Sequence, residues 1–467
     1  MRQLATIMIL LVSSLPALAM DSVPKPEYRQ RRSALAEKLN GGIAILFAAD
    51  EPLLDFMPYR QDSDFFYLTG WNEPGAALIV IGAGPASTVA RTGEPVPAHP
   101  YREILLLPER DRIMEKYTGV KMDAAAPAVQ TATGVDEVLQ MSALPRVITE
   151  FLGQDRRLRS QHIWRQLDVP AAASTLNFVA ASFGLAELPP AQDVRALTMA
   201  LRIVKSPAEI ALLKQASNAS IAGQLAGMHA IKPGVRERTV AGIELETMMA
   251  SGCERPSYAA IVGSGPNSTV LHYAANDRIM QKGDLVVIDE AGEYSMYASD
   301  ITRTMPVSGR FTPRQKEIYD IVLGAQRAAA QAFVSGQSRM GSLADRTDAA
   351  VTDSLDKVAY DYINTHGKDL HGEPLGKYFL HGIGHSVGID VHDPMDYAHT
   401  RLNKGMVFTI EPGIYIPEEN LGIRVEDVFY VDANGRLVDF IQDLAHDTAA
   451  VEAVMRSESA AHGMPRQ

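Results

Sequence analysis

The stretch Leu285–Thr304, LVVIDEAGEYSMYASDITRT, constrains this chain more than any other. It opens on the apolar run Leu285-Val286-Val287-Ile288, which leads directly into Asp289. The turn residues Gly292 and Ser295 follow, and a second run ends in Asp300. Short apolar runs bounded by turn residues read as buried strands, and two in succession read as a hairpin or tight meander. A carboxylate at the same end of each strand brings two acids to one point. An ionised carboxylate is rarely buried without a partner. That partner is an Arg or Lys, as in a salt-bridged hairpin, or a metal ion, and this stretch leaves both open.

Residues 1–19, MRQLATIMILLVSSLPALA, join a short positive start to an apolar run and a small-x-small ending, Ala17-Leu18-Ala19. This is the pattern of a secretory signal peptide and predicts a periplasmic or secreted chain beginning at Met20. The apolar run is too short to span a bilayer comfortably, and no cysteine follows it to carry a lipid anchor. The 467 residues include one cysteine, Cys253, so stability rests on core burial instead of an internal disulfide. The length predicts two or three domains. A net charge of −12 argues against nucleic acid and anionic membrane as partners.

Residues 20–198 form the first expected unit, an α/β layer. Gly42–Phe47, Ala77–Ile81 and Glu103–Leu107 read as buried strands, with helical patterns such as Arg29–Leu39 between strands. The segment Tyr59–Gly70, YRQDSDFFYLTG, contributes aromatics to the core. Pro95–Pro100, with three prolines, reads as an exposed loop. No catalytic constellation is visible in this half. Near residue 198 the pattern changes. Ser206-Pro207-Ala208-Glu209 is a capping box with Pro at the first helical position, and Thr312-Pro313-Arg314-Gln315 repeats the signal. Residues 199–467 thus supply helices flanking strands, an α+β layer.

Within that second unit, residues 379–429 carry Phe379-Leu380-His381-Gly382-Ile383-Gly384-His385 and then Gly388-Ile389-Asp390-Val391-His392-Asp393. An apolar strand then ends at Glu411-Pro412-Gly413, and Gly422–Val428 reads as one more strand. Along it Ile423 and Val425 point one way, Arg424 and Glu426 the other. Asp289, Asp300, Glu411 and Glu426 on buried strands cannot all ionise side by side unaided. Two divalent cations balance four carboxylates, and His385 adds one nitrogen. Oxygen-rich ligation suits manganese, with cobalt, zinc and iron not separated from it. Two such ions can hold a water between them and lower its pKa towards neutral.

Each motif alone is weak, but the order D-x10-D, HGxGH, EPG, R-x-E is specific. With it the sequence resembles the pita-bread (creatinase/aminopeptidase-like) metallopeptidases and, within them, the aminopeptidase P family. The resemblance runs from about Arg202 to Phe429 and includes Pro256-Ser257-Tyr258, Leu271-His272-Tyr273 and Ser299–Thr304. Tyr59–Leu78 is similar to the N-terminal domain of the same family. The resemblance implies that Asp289 chelates one metal, that Asp300 and Glu426 bridge both, and that His385 and Glu411 complete the other. It implies His272 near the metal water, His381 and His392 along the substrate cleft, Arg424 orienting the acids, and Glu411 as proton shuttle. It also implies proline-containing peptides as substrates and a homodimer or homotetramer. Glu290, Met296 and the tail from Asp443 depart from the family pattern without removing a ligand.

The reaction implied is hydrolysis of an N-terminal Xaa-Pro bond. An Xaa-Pro dipeptidase shares the metal set. A non-catalytic binding protein or a creatinase-like hydrolase of the same fold is disfavoured, because all five ligand positions are filled.

Overall fold

A computed structural model of the protein describes residues 22–51, 58–84, 87–88, 95–96, 98–154, 163–169 and 191–457. The expected leader, residues 1–19, lies outside the described residues.

The three apolar runs of the first half become the strands Ile43–Phe47, Ala77–Ile81 and Arg102–Leu107. They pair antiparallel with one another and form the centre of a six-stranded mixed sheet. Glu137–Gln140 extends one side in parallel, and Ile163–Arg165 then Gln192–Asp193 extend the other. The central strands are apolar on both faces because both are covered. Ile43, Ile45, Ile79, Ile104 and Leu106 pack with Val147 and Ile148 of the helix Leu144–Gln154. Ala44, Leu46, Leu78, Val80 and Leu105 face the opposite way, with Leu35 and Leu39 beside them.

Asp62 caps the helix Ser63–Thr69 by accepting the Phe65 N–H, and Phe65, Phe66 and Tyr67 are buried as expected. The Pro95–Pro100 segment is not a plain loop. Pro95–Val96 pair with Ser87–Thr88, and His99 bridges to Gly84. Proline is tolerated on such an edge because no ladder bond is needed from its nitrogen.

In the second half both capping boxes form, each with Pro at the start of its helix, Pro207–Ala230 and Pro313–Ala332. With Glu237–Ala250 and Leu355–His366 these helices flank two small antiparallel sheets. One contains Ile261–Ser264, Leu285–Asp289 and Thr302–Pro306. The other contains Val407–Ile410, Asp427–Val431 and Leu437–Asp439. No helix among the described residues is long and apolar enough to cross a membrane.

Two expected strands are broken. After Asp289 the chain leaves its sheet, and Gly292–Tyr294 pairs with Tyr297–Ala298 as a separate hairpin. Its turn residues, Ser295 and Met296, have φ of 51° and 71°, the geometry a two-residue hairpin loop demands and glycine usually supplies. The chain returns as Thr302–Pro306, with Thr302 opposite Asp289. Asp300 therefore precedes a strand instead of ending one. It still meets Asp289, because antiparallel pairing sets the start of one strand beside the end of the other.

The run 422–428 also divides. Leu421–Arg424 pairs with Gly413–Ile416, and Asp427–Val431 pairs with Val407–Ile410. The alternation survives the break, with Ile423 and Val425 in the core and Arg424 and Glu426 lining a cleft.

Candidate active site

Backbone junctions between these small sheets bring the acids together. The Glu426 N–H donates to the Thr302 carbonyl at 3.1 Å. Thr304 Oγ1 accepts the Arg424 N–H at 3.0 Å and donates to the Arg424 carbonyl at 2.9 Å. The strand after Asp300 is thus zipped to the segment carrying Arg424 and Glu426. On the other side, Thr409 N–H donates to the His385 carbonyl and Glu411 N–H to the Ile383 carbonyl, both at 2.8 Å. This lays HGIGH along the strand that ends in Glu411. Gly384 makes the approach possible, since a Cβ there would lie 2.3 Å from the Thr409 carbonyl oxygen. A Cβ on Gly382 would meet open space.

All nine residues singled out from the sequence line one cleft of about 620 Å³. Asp289, Asp300, His385, Glu411, Glu426 and Arg424 are at its floor, with His272, His381 and His392 on its walls. His385 Nε2 lies 3.2 Å from Asp300 Oδ2, 3.3 Å from Glu411 Oε1 and 4.0 Å from Glu426 Oε1. Ligand atoms of Asp300, His385 and Glu426 lie within 4.8 Å of one another. Arg424 binds Asp289 Oδ2 at 2.5 Å, Thr302 Oγ1 at 3.1 Å and the Tyr415 hydroxyl at 2.9 Å. The His392 ring centroid is 4.0 Å from that of His385, and His392 is exposed to the cleft mouth.

The electrostatics follow from burial. Burial raises Asp289; Arg424 opposes it and the Asp300 charge adds to it. Burial pushes Glu411 up to about 7, against the pull of His385. Burial, then Asp300, Glu411 and Asp289, hold Glu426 well above the usual carboxylate range. Burial alone would lower His385, but hydrogen bonding to Asp300 and the Glu411 charge raise it to about 9. His385 Nδ1–H donates to the Ser386 carbonyl at 3.2 Å, so its Nε2 is the nitrogen that faces the carboxylate oxygens, where a proton or a metal cation offsets their charge. Asp289 Oδ1 is buried and meets no donor. Four carboxylates, one imidazole nitrogen and an orphaned oxygen suit hard divalent cations.

His381 is a different kind of group. Its Nδ1–H donates to the Gly382 carbonyl at 2.9 Å, and the Tyr415 hydroxyl donates to its Nε2 at 2.8 Å. Burial, followed by the Arg424 charge, lowers it to about 3, so it is a neutral imidazole at physiological pH.

Several working groups escaped the sequence reading. Tyr258 donates to Asp300 Oδ1 at 2.6 Å, and Thr302 donates to Glu426 Oε2 at 2.6 Å. Both sit inside motifs already noticed, Pro256-Ser257-Tyr258 and Ser299–Thr304, which were the available signal. Behind Glu426, Arg303 pairs with Asp427 at 2.6 Å, and His446 meets Asp427 at 3.0 Å. No local pattern announced His446. Glu290, the extra acid beside Asp289, turns away to face Glu244 in the core. Burial, then the Asp289 charge, raise Glu290 to about 8.

A mixed-sheet N-terminal unit joined to a catalytic unit of small sheets flanked by helices, with this acid and histidine cleft, defines a pita-bread metallopeptidase. Residues 211–433 match metallopeptidase family M24, and residues 28–159 match the aminopeptidase P N-terminal domain. The chain is 33% identical over 435 residues to the Xaa-Pro aminopeptidase of Escherichia coli, covering 89% of this chain and 94% of that one. It is 38% identical over 238 residues to the Xaa-Pro dipeptidase of Pyrococcus furiosus, covering 50% of this chain and 62% of that one. The E. coli aminopeptidase P structure with the inhibitor Pro-Leu superimposes with a TM-score of 0.77 at 29% identity, covering 93% of this chain and 99% of that chain. The chain therefore belongs to the aminopeptidase P family of M24 metallopeptidases.

Proposed function

We propose that this protein is an exported Xaa-Pro aminopeptidase, with a mature chain from Met20 and a catalytic unit from about residue 199. The observation that carries the reading is the convergence of Asp289, Asp300, His385, Glu411 and Glu426 with three further histidines in one cleft. Those five residues would hold two divalent cations, manganese in the first instance. When bound, the ions would supply Lewis acidity at the scissile carbonyl and water activation at neutral pH.

The chain's own residues do the rest. Glu411 is the carboxylate that would accept and return the proton of the reaction. Arg424 fixes Asp289 and, through Thr302, the adjacent Glu426. The exposed His272 and His392 present ring nitrogens to a bound peptide, and neutral His381, held by Gly382 and Tyr415, lines the cleft beside them. Ile261, Leu271, Val391 and Tyr397 give the cleft apolar wall. Proline, with no N–H and a fixed φ, is selected there by shape.

The dipeptidase reading draws on the P. furiosus relative, whose match spans half of this chain. The N-terminal domain match favours the aminopeptidase. The deciding experiment is a peptide panel of Xaa-Pro, Xaa-Pro-Yaa and Xaa-Ala-Yaa, each with manganese, cobalt and zinc. Cleavage of Xaa-Pro-Yaa at the Xaa–Pro bond supports the proposal. Cleavage of dipeptides alone defeats it.

A further inference from the structure

His392 sits in a short loop, Gly388–Asp393, closed on itself by the Gly388 N–H to Asp390 carbonyl bond at 3.0 Å. Asp393 N–H donates to the Ser386 carbonyl at 2.9 Å, and Gly388 leaves no room for a Cβ, which would lie 2.6 Å from the Asp393 carboxyl carbon. The loop carries an acid on either side of His392, and both are held from outside the loop. Asp393 takes Arg202 at 2.5 Å and Lys205 at 3.0 Å, with all three side chains buried.

Asp390 is held from both units, by Arg202 of its own and by Ser63 of the N-terminal one. Ser63 Oγ donates to Asp390 Oδ1 at 2.5 Å, and Arg202 donates to Asp390 Oδ2 at 2.6 Å. Arg60 donates to the neighbouring Ile389 carbonyl at 2.9 Å and lies 3.5 Å from Asp390 Oδ1. Arg60 also pairs with Glu293 at 2.7 Å, and Asp64 pairs with Arg202 at 3.0 Å. The polar half of YRQDSDF, whose aromatics fill the core, thus grips the loop bearing His392 from the other unit.

We infer that Arg60 and Ser63 are positioning residues for His392, so that the N-terminal unit sets the geometry of the cleft wall through this loop. The inference rests on the proposed placement of His392 against the peptide. Simple cohesion between the two units would need charged pairs anywhere along their contact. Here Ser63 and Arg60 reach the two residues immediately preceding Val391-His392, and Ser63 contributes no charge. Its contact with Asp390 is a hydrogen bond to a charged acceptor, directional and short. Loss of such a support lets the loop shift His392, and a displacement of about 1 Å can cost up to about 10²-fold in rate.

The test is a double-mutant cycle on the metal-loaded mature enzyme, using an Xaa-Pro-Yaa substrate, with melting temperature and amide exchange recorded for every variant. Ser63→Ala should lower kcat/KM about tenfold, quicken exchange in residues 388–393 and leave the melting temperature within a few degrees. Ser63→Thr, which keeps the hydroxyl, should restore activity. Arg60→Lys, which keeps the charge but not the fork, serves as an independent second probe and should behave like Ser63→Ala. The double variant Ser63→Ala/His392→Ala should be no slower than His392→Ala alone, because the support has nothing left to position. Additive losses in the double variant, or wild-type kinetics in both Ser63→Ala and Arg60→Lys, overturn the inference while leaving the proposed activity intact. Wild-type turnover in His392→Ala defeats the placement of His392 and the inference with it.

Discussion

Thr302 holds Glu426 at both ends: its Oγ1 donates to Glu426 Oε2 at 2.6 Å, and its carbonyl accepts the Glu426 N–H at 3.1 Å. The same Oγ1 accepts from Arg424 Nε at 3.1 Å. One residue therefore fixes the backbone and the carboxylate of an acid that lies 124 positions away in the chain. The orientation of that carboxylate is set by the protein, as its proposed role as a metal ligand would require.

Metal removal is the first test of the site. The five clustered donors favour a cation in the native state far more than in the unfolded chain. Exhaustive chelation should abolish peptidase activity and lower the melting temperature, and manganese should restore both. Undiminished turnover in protein shown by metal analysis to be empty would refute the metallopeptidase mechanism for this chain.

Glu411→Gln keeps the shape of the side chain and removes its charge and basicity. Turnover should fall by at least about 10²-fold, the low end for losing a general acid–base group. Circular dichroism should remain native. A variant with near-normal kcat would remove Glu411 from the proton transfer.

The pair Glu244 and Glu290 sets a pH dependence of stability. Burial, then the Glu290 charge, hold Glu244 well above the carboxylate range, and Glu290 is raised from 4.5 to about 8. The carboxyl oxygens of Glu244 meet no donor. A carboxyl whose folded value exceeds its unfolded value favours the folded state fully below the unfolded value. That contribution is lost as pH rises through the folded value. The wild type should therefore lose stability between about pH 5 and pH 9. Glu244→Leu should gain about 1–3 kcal/mol at pH 8 by removing a buried acid without a partner. Urea denaturation of both proteins across that range measures it, and a flat difference with pH would be the contrary result.

Peptide length separates the two proline-directed activities. Between Glu411 and Glu426 the chain forms a tight hairpin, Gly413–Ile416 against Leu421–Arg424, turned by Pro417–Glu419 and by Asn420 at φ 49°. So short a connection leaves little protein to wall off the far side of the cleft. Xaa-Pro-Yaa and longer peptides should be cut at least as efficiently as Xaa-Pro dipeptides. Tripeptides that are neither cleaved nor competitive would favour the dipeptidase.

Export is tested at the N-terminus. Mass spectrometry of the protein from its native host should find a mature chain beginning at Met20. A full-length species retained in the cytosol would contradict the leader.

What the sequence alone determined was local. Ser206–Glu209 and Thr312–Gln315 announced two helices because a cap is a contact between residues three apart. Leu285–Ile288 announced a buried strand because its apolar character is continuous. The five acid and histidine positions proposed as ligands were legible as a spaced pattern, though their proposed roles came from resemblance. Tertiary structure decided the rest. It broke the run ending at Asp300, and the run through Glu426, into strands of different sheets, because each half found a different partner along the chain. It aimed Glu290 away from the cleft towards Glu244 on a separate helix, since consecutive residues at a strand end leave in opposite directions. It also placed Ser63 against Asp390, a contact spanning 327 positions. Local pattern cannot encode such a pairing, because its geometry depends on how two separately folded layers dock.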